Sequence, residues 1–360
     1  MSHPTAPARI PVWPVAKSLA PQPVRLPQHQ DRALLSRYGW PVTESMSLFP
    51  PDPRPDDEPD TFDTGLQHVW QWFKSQKNME ARFGSALRQS IDEVLDGQRT
   101  GRYDVDTLEK TEKTYLGTKV EIVVRAEFEL ERGGSREMDY KIQGQAVDAK
   151  FSLKGQWSIP REAIGHICLV MAADDHKGTF DVGLVRIDPS ILNIGRNQDG
   201  KTTISREGRS RITWLCRKSP LPRNLLLTLH NQNKSNVDAI MMKISGQQRI
   251  NELIRRVQGT IIDRNTAVTV ARQHDGMKRC RDARHHLRAD GIVLLGHQND
   301  GPKIASQLRL PKIEKGTYIA VRLAEVTGPT DERPAALIGD RYYAIATPDD
   351  PQLPAPPVKM

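Results

Sequence analysis

Half of this chain's prolines, 13 of 26, fall in its first 62 residues, and that crowding limits where a fold can begin. A proline ring locks φ at about −65° and removes a backbone donor, so neither helix nor sheet tolerates such density. The segment ends in the acidic run "PPDPRPDDEPD" and is too poor in apolar residues to build a core. Residues 1–62 are therefore expected to form a largely disordered arm, with Trp40 and Phe49 among its few anchors. The rest of the chain is long enough for two domains.

From residue 63 to about 98 the pattern is helical. "FGSALRQSIDEVLDGQ" sets Phe83, Leu87, Ile91, Val94 and Leu95 on one stripe, and Gly97 suits the position just past a helix end. "TGRYDVDTLEKTEKTYLG" also reads as helix, but "VEIVVRAEFEL" alternates, with Val120, Ile122, Val124, Ala126, Phe128 and Leu130 on one side. Periodicity alone predicts a strand there. "YKIQGQAV" reads as two short strands turning at Gly144, and "AIGHICLVMAADD" and "TFDVGLVRID" as further strands. This is the pattern of an α/β domain, a mixed sheet flanked by helices. "NIGRNQDGKTTISREGRS" is expected to be a surface loop, and a boundary is expected near residue 218.

The second part opens with Ile250, Leu253, Ile254 and Val257 at helical spacing. One or two more helices come next, with Met277, Cys280 and Leu287 on the apolar side, and then the strand-like "GIVLLG", "GTYIAVRLAEV" and "RYYAIATP". Helices succeeded by a small antiparallel sheet suggest a winged-helix-like α+β domain. The expected division is an arm at 1–62, a first domain at 63–218, a second at 219–349 and a flexible tail at 350–360.

Several classes are excluded early. No apolar run approaches the roughly 18 residues that span a bilayer, and prolines interrupt any secretion signal at the N-terminus. Cys168, Cys216 and Cys280 are too few and scattered for a disulfide framework or zinc knuckle. A cytoplasmic protein with reduced thiols is expected. The net charge of +8 allows an anionic partner.

The chemistry concentrates in "MDYKIQGQAVDAKFS". Asp148 and Lys150, at i and i+2 of a strand, project to one side, while Val147, Ala149 and Phe151 face the other. Phosphodiester hydrolysis needs hard oxygens to hold a divalent metal and a cation near the attacking water. Asp139 and Asp148 supply such oxygens, Lys150 the cation, and Glu121 upstream is a third acid that completes a metal shell. The bland alternative is a solvated, charged strand face.

The segment resembles the PD-(D/E)xK nuclease core, and the wider chain resembles the NaeI family of type II restriction endonucleases. The resemblance rests on "DGQRTGRY", "KTEKTYLGTKVEI", "MDYKIQGQAVDAKFS", "WSIPREAIGHICLV", "GQQRINELIRRVQG", "MKRCRDAR" and "GIVLLGHQNDGPKIASQLRLP", in order from about residue 85 to 345. It implies metal-binding acids at Glu121, Asp139 and Asp148, an active-site lysine at Lys150, and Mg²⁺ as cofactor. It also implies that Glu121 sits on a helix, against the alternation noted above. Alanine stands at 149 where the family is expected to carry cysteine, and the arm has no counterpart in the family.

Between Gly246 and Asp290 there are ten Arg or Lys against five Asp or Glu. Arg272, Lys278, Arg279, Arg281, Arg284 and Arg288 are the candidate DNA-binding residues, on a helix suited to a major groove. The resemblance implies that this domain binds a second copy of the recognition sequence, that the enzyme is a homodimer, and that a cognate DNA methyltransferase belongs to the same system. The expected function is Mg²⁺-dependent, sequence-specific cleavage of double-stranded DNA. The alternatives are a non-cleaving DNA-binding regulator with a vestigial core and a nicking repair nuclease.

Other residues carry less. His166 reads as a strand histidine, and the cysteines read as packing residues. "GRNQDGK" lacks the context of a nucleotide-binding loop and suits a DNA-contacting one. Gln156 and Trp157 either approach DNA or, for Trp157, pack.

Overall fold

A computed structural model of the chain describes residues 63–134, 138–195 and 200–359. The proline-rich arm and part of the 195–201 loop lie outside the described residues. The first half begins with helices α1 (Thr64–Ser75), α2 (Met79–Leu95), the single turn α3 (Gly97–Thr100) and α4 (Lys110–Glu127). Asp63 caps α1, accepting from the Leu66 amide at 2.9 Å, and also receives two hydrogen bonds from Arg186. Phe73, Phe83 and Phe128 gather around the helix ends with ring centroids 4.4 to 5.5 Å apart.

The conflict over residues 120–130 resolves as helix as far as Glu127. Val120, Val123 and Val124 are buried on α4 at helical spacing, whereas Ile122, which alternation pairs with Val120 and Val124, is 40% exposed. A capping box between Glu109 and Glu112 starts the helix. The alternation reflects an apolar stripe wide enough to mimic a strand. Gly97 also differs from expectation, because Asp96 takes the left-handed cap of α2 and Gly97 opens α3. A Cβ at Gly97 would lie 2.3 Å from Thr269 Oγ1, so close approach of the two halves is what demands glycine.

Strands β1 (Glu131–Arg132), β2 (Tyr140–Ile142), β3 (Gln145–Ser152), β4 (Ser158–Ile159), β5 (Ile167–Asp174), β6 (Thr179–Arg186), β7 (Thr202–Thr203) and β8 (Thr213–Pro220) come after α4. Six of them form one mixed sheet in the order β1-β2-β3-β5-β6-β8, in which β3 and β5 run parallel. One face, with Val147, Leu169 and Met171, packs on α1, α2 and α4. The other holds a smaller cluster that includes Cys168, Val170, Trp157 and Ile191, beside the β4–β7 ribbon. Trp157 is buried and donates to Met171 O at 2.8 Å, so it packs.

The second half contains α5 (Leu225–Gln232), α6 (Lys234–Met241), α7 (Gly246–Arg256), β9 (Ile261–Ile262), α8 (Arg264–Ala271), α9 (Gly276–His286), β10 (Ile292–Gly296), α10 (Gly301–Gln307), β11 (Tyr318–Val326), β12 (Ala335–Ile338) and β13 (Arg341–Ile345). Its sheet is antiparallel, ordered β10-β11-β13-β12, with β9 also pairing β11. Ile250, Leu253, Ile254, Cys280 and Leu287 share one core beneath α7, α8 and α9. Residues 350–359, read from the sequence as a tail, run along this half, where Ala355 is buried and exchanges hydrogen bonds with Arg288.

A polar network joins the halves. Arg88 of α2 contacts Asp92 and Asp175, each at 2.6 Å, and Asn224 donates to Asp175 at 3.0 Å and to Tyr103 O at 2.7 Å. Asn224 is also the N-cap of α5, so the first helix of the second half starts on a residue anchored in the first.

Candidate active site

The β2–β3 hairpin builds the site. Gln143 and Gly144 form its two-residue turn with φ of 50° and 76°, the double left-handed turn whose twist matches the flanking strands. The register pairs Tyr140 with Val147. Carried one residue further, it sets Asp139 opposite Asp148. Asp139 Oδ2 accepts from the Ala149 amide at 2.8 Å, which holds that carboxylate against β3.

Lys150 Nζ lies 2.6 Å from Asp148 Oδ2 and 3.2 Å from Ala149 O. Parallel pairing sets Cys168 of β5 beside Asp148, with Sγ 3.6 Å from Oδ2. From the helix side, Glu121 accepts at its backbone carbonyl from the Tyr140 hydroxyl at 2.9 Å, and Arg125 Nη1 lies 3.6 Å from its carboxylate. The four residues singled out from the sequence thus converge. Tyr140, Cys168 and Arg125 were not singled out, because helix packing and strand order bring them there. Only the position of Tyr140 next to Asp139 gave any local signal.

Burial pushes the Asp148 carboxyl up to about 6, against the pull of Lys150 and with the help of Asp139. Burial, then the charge of Asp139, also raises Glu121, which feels Lys150 and Asp148 as well. The Cys168 thiol is held well above the usual thiol range by burial beside Asp148. Carboxylates crowded this way repel one another, and a cation between them relieves the repulsion.

Comparison with known proteins decides what this arrangement belongs to. The model of the family described as "Restriction endonuclease NaeI" matches residues 68–354. The chain belongs to the NaeI restriction endonuclease family. It is also 42% identical over 285 residues to the "Type II restriction enzyme NaeI" of Lentzea aerocolonigenes, covering 77% of this chain and 89% of that protein. As a NaeI-family member the chain is a site-specific deoxyribonuclease, and the family resemblance seen in its motifs is borne out. The mixed α/β architecture is consistent with a restriction endonuclease fold.

Restriction endonucleases generally use a divalent metal. The hairpin and α4 offer hard carboxylate oxygens from Asp139, Asp148 and Glu121, the last two partly desolvated, and this donor set suits such an ion. The three carboxylates stand more openly than a closed metal shell. Among the described residues, three ligand atoms come within 4.8 Å of one another only at Asp104, Asp106 and His176. In that group the His176 Nε2 lies 3.2 Å from Asp104 and 3.4 Å from Asp106. A nitrogen in the set favours a transition metal over magnesium. A cleft of about 520 Å³ between α2 and α8 lies apart from the hairpin, and its acidic lining of Asp92, Glu93 and Asp96 does not suit a phosphate chain.

The six candidate DNA-binding residues occupy different settings. Arg281 is exposed on α9 and makes no hydrogen bond or close ion pair among the described residues, though it feels the charge of Asp282. Lys278 pairs with Asp282 at 2.7 Å and Arg279 with Asp275 at 2.9 Å, both on α9. Arg284 turns inward, donating to Leu294 O at 3.3 Å with its guanidinium over the Tyr318 ring. Arg288 donates to Ala355 O, and Arg272 lies against Gly101. No described helix is long and apolar enough to cross a membrane.

Proposed function

We propose that the chain hydrolyses double-stranded DNA with Mg²⁺ at Glu121, Asp139 and Asp148, working as a homodimer stimulated by a second DNA site. The meeting of Asp148 and Lys150 at 2.6 Å, opposite Asp139 across the hairpin, carries the catalytic part of this reading. When bound, the metal supplies charge neutralisation at the phosphate and lowers the pKa of a water. Asp139 and Asp148 hold it, and Glu121 assists from α4.

Lys150 orients the attacking water and steadies negative charge as the water oxygen, its proton passed to solvent, bonds to phosphorus and the bridging P–O bond breaks, the departing oxygen taking a proton from solvent. Neighbouring donors fix the ligands beforehand. The Ala149 amide holds Asp139 and the Cys168 thiol reaches Asp148, so little reorganisation is left for the reaction.

Residues 63–218 form the endonuclease domain in this reading, and 219–349 a winged-helix-like domain that binds the second DNA. Support comes from α8 and α9, joined through the turn at 272–275, with exposed Lys278 and Arg281 on α9. A methyltransferase protecting the same sequence is the partner such an activity requires in its host.

The test is Asp148→Ala, assayed on plasmid DNA with Mg²⁺. Loss of cleavage with retained DNA binding is expected. Full cleavage by the variant would overturn the assignment.

A further inference from the structure

We propose that the Tyr140 hydroxyl is a positioning group for the metal site, fixing Glu121 of α4 against Asp139 and Asp148. This rests on the assignment of those three acids as metal ligands. Asp139 and Asp148 share one hairpin, so backbone pairing sets their separation. Glu121 has no such constraint. It lies on a different element and is joined to β2 through a segment that pairs with β2 at the two-residue β1 and through the Gly133 amide, which donates to Asp139 O at 3.3 Å.

The phenol supplies a directional connection. Tyr140 directly follows Asp139, its ring is fully buried in the large core, and its hydroxyl donates to the Glu121 carbonyl at 2.9 Å. One side chain therefore ties the backbone beside one acid to the backbone of another. The helix does not need this bond. Glu121 lies inside α4, where its carbonyl already serves the amide four residues on, and a carbonyl has a second lone pair to offer.

Packing does not need it either. Other aromatic positions in the same core, Phe73, Phe83 and Phe128, are filled by rings without a hydroxyl. The oxygen of Tyr140 is thus the atom that calls for a role. Metal ligands must lie within a few tenths of an ångström of their working positions. Apolar packing of Leu116, Val120 and Val124 seats α4 on the sheet, but such packing is non-directional and does not by itself set Glu121 that closely.

Tyr140→Phe keeps the ring and removes only the hydroxyl. It should be compared with wild type, with Leu116→Ala, which loosens the same helix from a position away from the acids, and with Asp148→Ala. Three readouts are needed on the full chain: Mn²⁺ binding followed by electron paramagnetic resonance, the Mg²⁺ concentration giving half-maximal cleavage of a plasmid the wild type cuts, and the melting temperature without metal. Tyr140→Phe should weaken Mn²⁺ binding and raise the Mg²⁺ requirement by about tenfold, while melting closer to wild type than Leu116→Ala does.

Two results would overturn the proposal. One is metal binding and Mg²⁺ requirement unchanged in Tyr140→Phe. The other is a loss of metal affinity that merely tracks melting temperature, equal in Leu116→Ala and Tyr140→Phe at matched destabilisation. If Asp148→Ala binds Mn²⁺ and cuts like wild type, the metal assignment itself falls. If Asp148→Ala loses both while Tyr140→Phe loses neither, only the role of Tyr140 falls.

Discussion

Lys150 Nζ and Asp148 Oδ2 stand 2.6 Å apart on one face of β3, the ammonium serving as counter-ion to a buried carboxylate. With a divalent cation bound by Asp148 and Asp139, Lys150 would be left available to a water. Lys150→Ala should therefore lose cleavage by about a hundredfold or more while keeping its affinity for DNA. Single-turnover cleavage beside a gel-shift titration measures both. Cleavage at the wild-type rate would remove the lysine from the chemistry.

The pH dependence of stability originates in part at Asp148. Its carboxyl sits near 6 in the folded protein against an ordinary value of 3.8, so the folded state binds more protons between those values. Without metal, this group's contribution makes the protein less stable as pH rises through that window, and the effect levels off above about 6. Asp148→Asn should lack the decline. Melting temperatures of the two proteins from pH 4 to 7 should converge at the acid end and separate toward neutrality, with the variant higher. Mg²⁺ should raise only the wild type.

Arg88 bridges Asp92 and Asp175 at the junction of the halves, and the Asp175 side chain is only 1% exposed. Arg88→Met would leave both acids without their cation, a loss of about 3–5 kcal/mol for a buried pair broken on one side. Burial already lifts Asp92 to about 6, so the penalty should be largest above that pH and shrink as Asp92 takes a proton. Urea unfolding at pH 5 and pH 7.5 is the measurement, and an equal loss at both would contradict the account.

Arg281 and Arg284 lie one turn apart on α9 but should behave differently. Exposed Arg281, replaced by alanine, should lower the salt slope of DNA binding by about one unit with no change in melting temperature. Arg284→Ala should lower the melting temperature, because its guanidinium serves Leu294 O and Tyr318. Salt-dependent binding isotherms and calorimetry separate the two roles.

The acids and the lysine were legible in the sequence because the strand period and the Gly144 turn are local, and local geometry alone projects Asp148 and Lys150 to one side. The stripe Phe83, Leu87, Ile91 and the helix at Ile250 were legible for the same reason: apolar spacing reports the buried face. Several features depended on contacts made far along the chain. The alternation at 120–130 fitted strand and helix alike, and burial of Val123 with exposure of Ile122 decided for helix only once α4 lay on the sheet.

Likewise, Gly97 was explained by Thr269, the thiol beside Asp148 by the β3–β5 pairing, and the hydroxyl on Glu121 by the packing of α4 against β2. By itself the sequence determined which residues are candidates for the chemistry and, in the β2–β3 hairpin, which face each presents. Only the tertiary structure decided which of them meet, because contact between distant segments depends on how the elements pack, and periodicity within one element carries no record of its neighbour.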